Sequence, residues 1–392
     1  MADAPSRPPG TVLVAQPSVE LYGADRMAAR SVSALVEAGW RVVVAVPTLG
    51  PLVGVLEGLG AEVRVVRSPV LRRAYLSPRG LVSYVGDVTG ALPILLRQLA
   101  DVAPDVVYAN TITGPPWIAA ARLRGVPVLC HVHEAEDRSP RPVRVALTAP
   151  LLAADLVVAN SGATRDFLVR QHAALARRTT VVLNGSDGPA TPVPPVRDRL
   201  TGRVRLVLVG RISQLKGTDV AVAAVGRLVR DGYDVELAVV GGVYPGKEWF
   251  LDELTASVDE LGIADRVHWR GPAAEPWEAL AEADIALVPS RVESFGLTAV
   301  EAMLAGRPLV AAATQGLVEV VEPERTGLLV DADDPEALAA GVGRVIDDWP
   351  SALERASTAG VEARSRFSAA RYAREIVEVV GQTAFGDGAP AP

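Results

Sequence analysis

Two glutamates offer the first chemistry in this chain. Glu293 and Glu301 are separated by seven residues in the run Glu293-Ser-Phe-Gly-Leu-Thr-Ala-Val-Glu301. The apolar run 285–288 before it predicts a strand, and the spacing after Gly296 predicts a helix that stops at Gly306. Leu297, Val300, Met303 and Leu304 make the inward face of that helix, and Glu301 lies on or beside it. An unpaired carboxylate there costs several kcal/mol in effective terms, whereas a ribose diol supplies two hydroxyl donors for its two oxygens. Gly296 lets backbone amides at the helix start come close to an anion such as a phosphate. Taken alone, the pair reads equally well as an exposed loop glutamate plus a helix glutamate paired to an arginine.

A second cluster, Gly210-Arg-Ile-Ser-Gln-Leu-Lys216-Gly217, follows an apolar run at 205–209. A guanidinium fork and an ammonium point charge at a strand end can hold a diphosphate. The bland alternative is a helix start capped by Thr218 or Asp219. Lys216 and Lys247 are the only lysines in an arginine-rich chain. Nearer the start, Leu21-Tyr-Gly-Ala-Asp-Arg26 sits between a strand pattern and an Ala-rich helix, and the run 126–132 leads into His131-Val-His133-Glu134. Strand alternation puts both histidines on one face. Such a pair is often structural, and two His with a Glu could also suggest a metal. Asp331-Ala-Asp333 could suggest a metal as well, but Asp334-Pro335-Glu336 after it reads as a helix N-cap with Pro in the first turn. No Gly-x-Gly-x-x-Gly follows the first strand, which argues against a nicotinamide or flavin enzyme.

The elements that position these residues alternate. Strand-like runs at 11–15, 41–46, 62–66, 106–109, 126–132, 156–159 and 180–183 are separated by helical patterns, and a second series occupies 205–209, 235–240, 267–270, 285–288, 309–313 and 327–330. The prolines at 189, 192, 194 and 195 interrupt the two series and predict a linker. A length of 392 residues, 49% hydrophobic and 5% aromatic, suits two α/β domains with buried parallel strands. The expected domains are 1–186, a linker 187–202, 203–369, and a final segment 370–392 made of a helix and a disordered tail. Cys130 is the only cysteine, so neither a disulfide framework nor a cysteine-based metal site is expected. No apolar stretch is long enough to span a bilayer, and the start lacks a signal-like core. The expected setting is cytoplasmic. Net charge is +5 over residues 1–186 and −12 over the rest.

Glu-x7-Glu with an internal Phe-Gly-Leu resembles the signature of the family 4 retaining glycosyltransferases. The other motifs occur in that family's order: the loop at 21–26, Pro104-Asp-Val-Val-Tyr-Ala-Asn110, His133, Asp155-Leu-Val-Val-Ala-Asn-Ser161, Asn184-Gly185 and the Arg211/Lys216 block. The resemblance runs from about Val12 to Val380. It implies a GT-B fold: two Rossmann-like, doubly wound domains facing across a cleft, with a C-terminal helix crossing back to the first. It implies a nucleotide-diphospho-sugar donor, a UDP-sugar above all, held mainly by residues 203–369. The acceptor, a small molecule, glycan or lipid-linked hydroxyl, would be held by the first half. Carried over residue by residue, the catalytic set is His133 facing the donor sugar, Arg211 and Lys216 on the diphosphate, and Glu293 on sugar hydroxyls. The donor-binding set is Gly23, Arg270, Phe295, Gly296, Leu297, Thr298 and Glu301, the last on the ribose. At 21–26, Tyr22 and Asp25 stand where the family has a glycine and a glutamate, which leaves Gly23 as the residue of close approach. The resemblance further implies front-side retaining transfer with no protein nucleophile, no metal ion and no cofactor.

Two rival classes share this architecture: a nucleotide-sugar 2-epimerase and a non-catalytic sugar-nucleotide sensor. No nucleic-acid partner is expected. Arg67, Arg72, Arg73 and Arg79, then Arg138, Arg141 and Arg144, are interleaved with Val70, Leu71, Tyr75, Leu76, Val143 and Leu147. Such mixing suits peripheral contact with an anionic inner-membrane face, at roughly 1 kcal/mol per basic residue near the surface. Solvated or carboxylate-paired arginines are the plainer alternative.

Overall fold

Each strand-like run becomes a strand. The first series forms β1 (Thr11–Ala15), β2 (Arg41–Val46), β3 (Glu62–Val65), β4 (Val106–Ala109), β5 (Val128–Val132), β6 (Leu156–Ala159) and β7 (Thr179–Val181). The second forms β8 (Val204–Val209), β9 (Val235–Val240), β10 (Val267–Gly271), β11 (Ile285–Val288), β12 (Leu309–Ala312) and β13 (Leu328–Val330). β5 begins two residues later than its apolar run because Pro127 has no N–H to give the ladder and contributes only its carbonyl, which accepts from Val107 N at 2.9 Å. The computed structural model describes residues 10–71, 75, 78–135, 137–244 and 246–386. Arg72, Arg73, Leu76 and the tail from 387 lie outside the described residues.

The chain divides into two units, one made of Met1–Gly185 with Ala369–Pro392 and the other of Ser186–Ser368. Each is built on one parallel sheet, ordered β3-β2-β1-β4-β5-β6-β7 in the first and β10-β9-β8-β11-β12-β13 in the second. Strands buried on both faces are mainly apolar, and β4 and β5, buried at every position, carry Tyr108 and His131 as polar exceptions that hydrogen-bond to each other. In both sheets the winding reverses beside the first strand, between β1 and β4 and between β8 and β11. At such a switch point the loops leaving neighbouring strands diverge to opposite faces and leave room for a ligand.

The proline-rich stretch 187–202 is held against the second unit. Arg197 makes hydrogen-bonded ion pairs with the fully buried Asp284, which Arg205 also pairs with at 2.9 Å. Trp349 Nε1 donates to Arg197 O at 2.9 Å, and the buried Arg307 donates to Pro194 O. Burial alone would raise the Asp284 carboxyl, yet hydrogen bonds from Arg205 and Arg197 hold it below the usual carboxylate range.

The last helix, Ala369–Phe385, belongs to the first unit. Tyr372, Ile376, Val379 and Val380 repeat at helical spacing and are its buried face. The fully buried Ile376 and Val380 contribute roughly 1.5–3 kcal/mol each. Tyr372 Oη lies 2.6 Å from Ser31 Oγ on helix Gly23–Glu37. Among the described residues no helix is long and apolar enough to cross a membrane.

Candidate functional site

In the second unit the loops leaving β8 and β11 bring the Arg211/Lys216 cluster and the glutamate motif together. Lys216 Nζ lies 2.6 Å from Glu293 Oε2, with side chains 28% and 12% exposed. Ser290 Oγ donates to the same oxygen at 3.3 Å, and Glu293 N donates to Gln315 Oε1 at 3.0 Å. The loops meet so closely because of Gly217. Its φ is +67°, and a Cβ there would stand 2.0 Å from Pro289 O. The guanidinium of Arg211 stacks 3.9 Å from the centroid of the Tyr244 ring, at the end of β8.

Gly296 caps helix Leu297–Leu304 with φ +108°, and a Cβ there would meet Leu317 Cδ2 at 2.6 Å. The chain can therefore turn directly from Glu293 into the helix, with backbone amides at its N-terminus. Glu301, one turn in, is 1% exposed. Leu297 and Thr298 are half-buried in the first turn. The Phe295 ring is 2% exposed and packs edge-on against Phe367 at 5.7 Å, so it braces the loop from inside the core and leaves backbone for a ligand. Arg270 is on edge strand β10, where it pairs with Glu282 at 3.1 Å.

Sequence reasoning missed the residues that hold this cluster in place. Arg291, just before Glu293, grips Asp219 through both terminal nitrogens at 2.6 and 2.7 Å, Gln214 O at 2.6 Å and Asp333 at 2.5 Å. It clamps the Lys216 loop to the Glu293 loop, and a bidentate arginine suits that because its donors are rigidly spaced. Asp333 is thereby engaged, and Asp334 caps helix Pro335–Asp347 by accepting from Ala337 N at 2.9 Å.

In the first unit, residues that follow β1, β4 and β5 line up in a hydrogen-bonded row. Gln16 Nε2 donates to Asp25 Oδ1 at 2.9 Å, Asn110 Nδ2 donates to Gln16 Oε1 at 2.8 Å, and His133 Nε2 lies 2.9 Å from Asn110 Oδ1. Asp25 Oδ2 also accepts from Tyr22 N at 3.2 Å, closing the first turn of helix Gly23–Glu37. Gly23 is exposed there, with open space where a Cβ would be. The ring of His131 lies 4.1 Å from that of His133, and its Nδ1 is 2.6 Å from Tyr108 Oη, which in turn lies 3.1 Å from Ser31 Oγ. Burial drives the His131 imidazole well below its ordinary pKa and that of His133 down to about 4, so both are uncharged near neutrality. Burial pushes the Glu134 carboxyl up, against hydrogen bonds from Thr111 and from His133 N. Among the described residues no three His, Cys, Asp or Glu side chains are grouped to hold a metal ion. Gln16 carried no motif; its one sequence signal was its place directly after β1.

Two doubly wound parallel α/β domains, the second with glycine-opened loops and a charge pair at its switch point, are the architecture of the GT-B class. Residues 22–185 match the Glycosyl transferase 4-like domain and residues 203–348 match the Glycosyl transferases group 1 family. A D-inositol 3-phosphate glycosyltransferase of Catenulispora acidiphila is 32% identical over 330 residues, covering 78% of this chain and 76% of that one. A glycogen synthase of Mycobacterium tuberculosis is 31% identical, covering 74% and 71%. Among solved structures, Anabaena HepE in complex with UDP and glucose superposes with a TM-score of 0.80 at 22% identity, covering 95% of this chain and all of that one. The chain belongs to the family 4, group 1 glycosyltransferases and is a transferase acting on glycosyl groups.

Proposed function

We propose that the chain transfers a sugar, with retention at the anomeric carbon, from a nucleotide-diphospho-sugar to an acceptor hydroxyl, and that UDP is the nucleotide. The observation that carries this reading is the Lys216–Glu293 pair at 2.6 Å, at the end of β8 beside Arg211 and the Gly296-capped helix. A diphosphate needs cations and amide donors, and a sugar needs a carboxylate acceptor within one residue's reach of them. Both are supplied in one place. HepE, of the same fold, has been solved with UDP and with UDP-glucose, which supports the choice of nucleotide.

In this reading the bond between the anomeric carbon and the diphosphate oxygen breaks as the acceptor oxygen attacks on the same face. The acceptor's proton passes to the leaving phosphate. Arg211, Lys216 and the amides at the start of helix Leu297–Leu304 stabilise the charge that develops on the diphosphate. Glu293 orients the sugar, Glu301 binds the ribose and His133 meets a sugar hydroxyl. The protein's own cations occupy the role of a divalent ion, so catalysis is metal-independent. Thermal-shift screening against UDP-, GDP-, ADP- and TDP-sugars, followed by turnover with and without a chelator, tests the reading. Stabilisation by a nucleotide other than UDP, or an absolute need for Mg²⁺ or Mn²⁺, refutes the corresponding part.

The acceptor side carries a second proposal, contact with an anionic membrane and a lipid-linked acceptor. Helix Pro78–Val102 exposes Val82 and Val85 near the exposed Arg79, and Arg141 is exposed at the start of helix Arg141–Thr148. Arg144, by contrast, is paired with Asp137 at 3.2 Å. Co-sedimentation with anionic and neutral vesicles at low and high salt tests it. Binding indifferent to lipid charge, or unchanged in an Arg67/Arg79/Arg141→Ser variant, points instead to an acceptor free in solution.

A further inference from the structure

One residue of the Glu293 loop holds three points around Lys216. Arg291 stands three residues past the end of β11 and two before Glu293. Its backbone N–H donates to Leu215 O at 2.8 Å, and its Nη1 donates to Gln214 O at 2.6 Å. Nη1 and Nη2 reach Asp219 Oδ1 and Oδ2 at 2.6 and 2.7 Å. Gln214 and Leu215 precede Lys216 in the single turn Gln214–Lys216, and Asp219 follows it in the first turn of helix Thr218–Arg230. The grip therefore brackets the lysine on both sides in sequence. Gly217 lies inside the bracket with its backbone against Pro289 O, so the two loops also meet where no side chain could intervene. Each of the three guanidinium nitrogens meets a protein acceptor, Nε being on Asp333 Oδ1 at 2.5 Å, and the side chain is 11% exposed. Its charge is thus matched by carboxylates of the protein, and its planar fork serves as a brace that an ammonium, a point charge, would not reproduce.

We propose that Arg291 is a positioning residue: by fixing the turn Gln214–Lys216 to the loop that carries Glu293, it holds the Lys216 ammonium ready for the donor's diphosphate and does not itself bind the donor. The fixing of Lys216 follows from the second unit alone. The diphosphate contact rests on the donor reading proposed above. A lysine free to move must be ordered when the anion binds, and ordering one such side chain lowers affinity about 2- to 10-fold. With the main chain on either side of Lys216 already fixed, much of that ordering precedes binding. Uridine has the base and the ribose but no phosphate, so its affinity does not depend on where Lys216 stands.

Lys216 and Lys247 being the only lysines, the side chain in question can be observed directly. Protein labelled with carbon-13 at lysine Cε gives one signal from each, and Lys247→Arg, a change at an exposed position, leaves that of Lys216. Relaxation of the signal reports how ordered the side chain is. Arg291→Gln adds no lysine and removes the fork. It is expected to bring the mobility of Lys216 to that of Lys247, to weaken UDP about 2- to 10-fold and to leave uridine affinity unchanged. Asp219→Asn, which leaves the contacts to Gln214 O and Leu215 O in place, should give the same changes in smaller size, and it carries the test should Arg291→Gln not fold. Lys216 relaxation unchanged by both substitutions overturns the proposal. An equal fractional loss of UDP and uridine affinity also overturns it, since that marks general support of the unit. A loosened Lys216 with UDP affinity unchanged overturns the diphosphate contact. A wild type that does not bind UDP refutes the donor reading, whereas loosening of Lys216 in Arg291→Gln still supports the fixing of the lysine.

Discussion

Glu293→Gln keeps the shape of the side chain and removes the charge that now holds Lys216. With 2.6 Å between Nζ and Oε2 and both groups largely shielded, the carboxylate is a direct rival of any diphosphate that approaches Lys216. Hydrogen bonds to charged groups contribute about 1.5–3 kcal/mol. Weakening the rival returns part of that to the incoming anion, on the order of 1 kcal/mol, so bare UDP should bind the variant roughly fivefold more tightly. Turnover should move the other way. The amide is a poorer acceptor for sugar hydroxyls, and a transition-state loss of about 1.5–3 kcal/mol lowers kcat/KM about 10- to 150-fold. Glu301→Gln should instead weaken UDP itself by a similar about 1.5–3 kcal/mol, because the ribose is present with or without the sugar. Titration calorimetry of UDP into the three proteins, with steady-state release of UDP from UDP-glucose, reads both effects. Equal losses of UDP affinity in the two variants would refute the division of labour between the glutamates.

Activity should be unchanged by a chelator, measured as turnover before and after dialysis against it; abolition reversed by Mg²⁺ would contradict the role given to Arg211 and Lys216. His133→Ala should reduce turnover and leave UDP affinity near that of the wild type, whereas a large loss of UDP affinity would move His133 away from the sugar. Asp284→Asn should destabilise the second unit by about 2–3 kcal/mol, less than the 3–5 kcal/mol for a wholly buried pair because its arginines reach solvent. The Asp284 carboxyl is held below its ordinary value of 3.8, so its contribution is present above about pH 4 and is lost as pH falls through the lower folded-state value. Acid unfolding should therefore be shallower in Asp284→Asn, and equally steep curves would show that Asp284 is not responsible. Tyr372→Phe should cost about 1–2 kcal/mol by leaving Ser31 without one partner, read as faster hydrogen exchange in helix Gly23–Glu37.

Strands were legible because both faces of a parallel strand demand mainly apolar residues, so runs such as 42–46 and 106–109 cannot be mistaken for half-exposed elements. Their ends shifted where a ladder contact decided the matter, as at Pro127. The charged residues that the loops bring together were legible in type: Lys216 and Glu293 stand in motifs that resemble the family's signature, each just after a strand-like run. What stayed hidden was support. Arg291 meets Asp219 and Asp333 across long loops, and Gln16 meets Asp25 and Asn110 across three elements. No local pattern marks such contacts, since each depends on how neighbouring strands register. The proline-rich run 187–202 shows the same limit. Its prolines correctly forbid helix and strand, but only the partners of Arg197 and Pro194 show that it is pinned.

The helix Ala369–Phe385 completes a unit whose other elements all precede Gly185. On the ribosome, the whole of Ser186–Ser368 must be made between them, a delay of about 10–40 s at ~5–20 residues per second. During that interval the second unit is continuous and can close, whereas the first waits with the groove for Tyr372, Ile376 and Val380 still open. A message cut short after Ser368 thus yields a finished second unit on an unfinished first, with apolar surface exposed for chaperones and proteases to find.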